Sequence, residues 1–134
     1  MFDMLKTLQK LLLKNATIAQ HCKGRIRAYT LDETVDTNGT LILIIPLNSP
    51  KPSTFASDTS LTSQYLYQIN VRGTDRDNVQ LISEEVKNVL WNIDFKYEDG
   101  TDEYDVDKKL YEVKNRYRGN PYTIDALRHL DKDV

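Results

Sequence analysis

The sequence predicts an α+β fold: a mainly antiparallel sheet of four to five strands, with an N-terminal helix and a second long helix packed on one face. Apolar residues recur every three to four positions near the N-terminus and again over residues 79–93, which is the helical period. In several other stretches they alternate strictly with polar residues, the period of a half-buried strand. The chain has 134 residues, of which 40% are hydrophobic and 28% charged, so one domain spanning 1–134 can bury a core without disulfides or metals.

The first segment, MFDMLKTLQKLLLKN, aligns Phe2, Leu5, Leu8 and Leu12, with Met4, Leu11 and Leu13 widening the stripe and lysines opposite. It reads as an amphipathic helix docked on a core; without Trp or Arg it makes a poor membrane-surface helix. GRIRAYTL, residues 24–31, reads as a strand with Ile26 and Ala28 on one face. Asn38-Gly39 is the strongest hairpin signal in the chain and leads into TLILIIPL, residues 40–47. There Leu41, Leu43 and Ile45 face one way and Ile42 and Ile44 the other, so the strand should be covered on both sides.

Residues 48–63, NSPKPSTFASDTSLTS, have prolines and many hydroxyl residues and read as a long flexible loop with no regular element. In YLYQINVRG, Tyr65, Tyr67, Ile69 and Val71 share one face, while Gln68, Asn70 and Arg72 share the other. After Gly73, Thr74 or Asp75 caps a helix whose stripe is Val79, Ile82, Val86, Val89 and Ile93. Trp91 falls off that stripe, as a core edge or an interface anchor. Phe95 and Tyr97 alternate with Lys96 and Glu98, and EDGTDE is expected to turn the chain at Asp99-Gly100. A last strand sets Tyr111, Val113 and Tyr117 against Glu112, Lys114, Arg116 and Arg118. The tail, residues 120–134, is either frayed or a short helix through Ile124, Leu127 and Leu130.

Residues that could carry chemistry are sparse. Cys22 is the single cysteine, a small buried thiol by default, and neither His21 nor His129 has a partner at metal-ligand spacing. The acidic run Glu98, Asp99, Asp102, Glu103, Asp105 and Asp107 fails as an EF-hand, because placing Gly100 at the sixth position puts Phe95 and Tyr97 where oxygen ligands belong. GTDRDN has one glycine and cannot cradle a phosphate. No carboxylate pair has a context that would separate its pKa values. These readings predict no catalytic, metal-binding or cofactor-binding residues and no enzyme activity. No segment reads as a secretory leader or a membrane span, so the expected setting is a reducing cytoplasm. Net charge is −2, which argues against a general nucleic-acid binder. A small α+β nucleic-acid-binding domain remains the alternative, using Arg72, Arg116, Tyr117 and Arg118 on the polar sheet face, with Tyr117 stacking on single strands.

The informative features therefore concern surfaces. A strand apolar on both faces in a small sheet calls for a second cover, supplied either by a neighbouring copy or by the long loop. The stretch YLYQINVRGTDRDNVQLISEEVKNVLWN resembles the tail-completion (tail terminator) proteins of long-tailed bacteriophages, and LYEVKNRYRG is similar to that family's final strand, rich in aromatic and basic residues. The resemblance covers residues 1 to about 119. It implies a virion protein without catalysis or cofactor that caps the head-proximal end of the tail tube as a hexameric ring, though some members are monomeric free in solution. Its implied partners are further copies of itself, the major tail tube protein and the head-completion (stopper) protein, with DNA passing through the ring without specific binding. Its implied locations are the virion tail and, during assembly, the host cytoplasm. On surface logic the contacts would use Leu41, Leu43 and Ile45, the loop residues Lys51, Phe55 and Leu61, and the cations Arg72, Arg116 and Arg118.

Overall fold

The computed structural model describes residues 3–31, 39–48, 51–52 and 63–119. Helices α1 (Met4–Lys14) and α2 (Ala16–Cys22) lead into strands β1 (Ile26–Ala28), β2 (Leu41–Pro46), β3 (Lys51–Pro52) and β4 (Ser63–Gly73). Helix α3 (Arg76–Trp91) and strands β5 (Phe95–Asp105) and β6 (Leu110–Gly119) follow. The sheet order is β1-β2-β4-β6-β5, with β3 paired to the start of β4. All pairs are antiparallel except β1 with β2. The α+β expectation therefore holds.

The helices cover one face. Val79, Ile82, Val86 and Leu90 of α3 are buried against Ile42, Ile44, Ile69, Val71, Val113 and Tyr117 of the sheet. Each such burial contributes roughly 1.5–3 kcal/mol before ordering entropy is subtracted. Asp75 is the α3 cap, accepting from the Asp77 and Asn78 backbone N–H groups at 2.9 and 3.3 Å. Leu90, rather than Val89 or Ile93, completes the fully buried stripe, and those two pack at its margin.

Several local expectations change. The N-terminal helix is two helices, broken at Asn15, whose backbone (φ −73°, ψ 121°) is extended. Asn15 closes α1 through its own N–H to the Leu12 carbonyl and caps α2 by accepting from Ile18 N–H at 3.0 Å. Its amide also donates to Glu85 of α3 at 3.2 Å, so one side chain ties three helices. The first strand is shorter than residues 24–31, because Tyr29 turns into left-handed backbone (φ 69°). β1 and β2 are not the two arms of a hairpin: they run parallel, Ile26 beside Ile42, and Asn38 of the expected turn lies outside the described residues. Within the loop, Lys51 and Pro52 form a strand beside Gln64 and Ser63, a place open to proline because it is at the sheet margin. The other residues of that loop, 49–50 and 53–62, lie outside the described residues, as does the tail, 120–134.

The largest change is at Asp99-Gly100, which sit inside β5 and not at a turn. The turn falls at residues 106–109, where Asp105 accepts from the Asp107 and Lys108 N–H groups at 3.0 and 3.1 Å and Lys109 takes φ 56°. Gly100 serves close packing: a Cβ there would strike the Asn115 side chain. Asn115 is buried and donates to Ser83 Oγ of α3 at 3.3 Å and to the Tyr117 hydroxyl at 3.4 Å.

Gly119 has a similar role. It lies opposite both Tyr65 and Phe95, and the Phe95 ring covers it. Tyr65, Tyr67 and Phe95 then cluster with centroids 5.8–6.1 Å apart. Gly119→Ala should lower stability by about 1–3 kcal/mol in urea denaturation, since its methyl must displace that ring; an unchanged midpoint would contradict the packing. Cys22 is fully buried, and burial pushes its thiol up to about 11. Iodoacetamide should therefore leave the folded protein unmodified at neutral pH and label it fully in denaturant, as read by intact mass.

Candidate assembly surface

The sheet face turned away from the helices is built by register. Three rows cross it: Leu41–Arg72–Glu112–Glu103, Leu43–Asn70–Lys114–Thr101 and Ile45–Gln68–Arg116–Asp99. The face is apolar on β2 and charged on β6 and β5. Leu41 and Leu43 are already buried within one chain, at 1% and 8% exposure, and lie outside the helix-side core. Ile45 is half-buried, and Leu47, just past the strand, is exposed. The backbone of Lys51 lies in β3, while Phe55 and Leu61 are outside the described residues.

The expected cations Arg72, Arg116 and Arg118 do share this face, but each meets a carboxylate. Arg72 reaches Glu112 at 3.2 Å, Arg116 reaches Asp99 at 3.4 Å, and Arg118 pairs with Glu98. Glu98 owes its position to the bulge between Tyr97 and Asp99, which offsets the like-charged Lys96 facing Arg118. Glu103 and Glu112 also face each other, and Lys114 bridges them at 3.3 and 3.9 Å. The Thr101 hydroxyl, followed by Lys114, holds the Glu103 carboxyl below its usual range.

The carboxylate half of this ladder was missed by reading Asp99-Gly100 as a turn. Its signal is in the sequence: Asp99, Thr101 and Glu103 repeat every second residue, as do Lys114, Arg116 and Arg118. Those complementary period-two runs match a cross-strand charge ladder.

Tyr117 cannot stack on a nucleic acid in this arrangement. It points to the opposite face from Arg116 and Arg118, is 1% exposed, and burial pushes its phenol up to about 12. With its cations paired and its aromatic buried, the face has neither element of a single-strand platform. A fluorescent single-stranded oligonucleotide should show no salt-dependent binding in anisotropy titrations; tight binding at low salt that weakens with added salt would reverse this conclusion.

No protein-family model matches the sequence, and no curated protein matches it. Among solved structures, the chain is similar to one from the virion of a native gene transfer agent particle. The TM-score is 0.57 at 7% identity, over 85% of this chain and 90% of that chain. That likeness is one of fold.

Proposed function

We propose that this chain is a structural subunit of a phage-like virion that caps the head-proximal end of the tail tube. In this reading it forms a hexameric ring, ends tube growth and offers a surface to the head-completion protein, without catalysis. The observation that carries the reading is the fold shared, over most of both chains, with a chain from a virion particle. The tail-completion resemblance of residues 65–92 points the same way. The charge ladder supports it too, because a self-neutralised face gives DNA no cationic track to hold.

The test is reconstitution with a candidate major tail tube protein from the same genome. Adding the purified protein to polymerising tubes should shorten and narrow their length distribution and place extra density at one end in negative-stain images. Tubes that grow to the same lengths with bare ends would refute the reading.

A further inference from the structure

The two lateral flanks of the molecule differ in charge, which the net value of −2 conceals. One flank consists of α1, α2 and β1. Residues 3–30 hold six cations (Lys6, Lys10, Lys14, Lys23, Arg25, Arg27) and one acid, Asp3, for a net of +5. The other flank is the edge strand β5 and its turn. Residues 94–109 hold seven acids and three lysines, for a net of −4. Asp32, Glu33 and Asp36 lie outside the described residues and belong to neither count.

Among the described residues, ion pairing leaves several charges of each flank without a partner of opposite sign. Glu98, Asp99 and Glu103 meet cations of β6, whereas Asp94, Asp102, Asp105 and Asp107 have no ion pair among the described residues. On the opposite flank the same holds for Lys6, Lys14, Lys23 and Arg27.

Exposed apolar side chains gather at the same places. Trp91, Tyr97, Tyr104 and Val106 line the β5 flank, and Leu13 and Tyr29 lie on the other. Beyond Phe95 every residue of β5 is exposed, and the strand has β6 as its one partner among the described residues. A long edge with exposed aromatics is open to a partner.

We propose that copies of this chain associate head to tail, the acidic β5 flank of one seated against the basic α1–α2–β1 flank of the next. Pairing of two β5 edges with each other is disfavoured, because their acidic side chains would meet like charges. The complementary flanks lie at opposite ends of the sheet, so the contact is heterologous and closes into a ring when its rotation allows. The inference builds on the ring reading above and identifies the contact that would form it.

A charge swap tests it without tail tubes. One variant carries Asp102→Lys and Asp107→Lys; the other carries Lys6→Glu and Lys23→Glu. All four positions are exposed, and circular dichroism checks that each variant folds. At low ionic strength and high concentration, sedimentation should show wild-type oligomers that dissociate with added salt. Each variant alone should be monomeric, and their equimolar mixture should regain the oligomer. A monomeric wild type, or variants that associate unaided, would overturn the proposal. Tube capping that survives both variants would reject this contact and keep the functional reading, while swap-dependent oligomers that fail to cap tubes would do the reverse.

Discussion

The register of β4 is the constraint on which the rest of the structure depends. It is paired along its length, with β2 on one side and β6 on the other. Side chains alternate across a strand, so these pairings set Tyr65, Tyr67, Ile69 and Val71 beneath the helices and Gln68, Asn70 and Arg72 on the far face. A slip of one residue would bury Arg72 and expose Ile69. The neighbouring strands obey the same parity, which is why Ile42, Ile44, Val113 and Tyr117 complete one core.

Polar contacts then place the outer elements on that frame. Asn15 holds the three helices in order, and Asn115 joins α3 to the sheet while occupying the space above Gly100. A buried amide left without partners is costly, so Asn115 keeps its bonds to Ser83 and Tyr117, and only a glycine at position 100 lets β5 lie this close to it. The charge ladder adds register more than energy, since exposed ion pairs contribute little each.

The same ladder separates two kinds of surface. Where β4, β6 and β5 face away from the helices, opposite charges cancel locally and the far field is weak. Among the described residues of the lateral flanks they do not all cancel, and the remaining charges have opposite signs at opposite ends of the sheet. Such a distribution orients approaching copies more than it binds a small ligand, which suits a subunit of an assembly.

Local pattern alone determined the α+β class, the inward face of β4, a helix capped at Thr74 or Asp75 and the alternation of β6; the structure chose Asp75 as the cap. Each depends on near neighbours in sequence, where 3.6- and 2-residue periods are visible. Tertiary structure decided the parallel pairing of β1 with β2, because a strong Asn-Gly turn signal says nothing about which edge a strand must reach. It also kept Asp99-Gly100 extended: the glycine looked like a turn residue, but its partner Asn115 lies fifteen positions away, and the flanking acids find their cations on β6. The charge polarity of the flanks was likewise hidden, because a sum over the chain does not record which charges end up side by side.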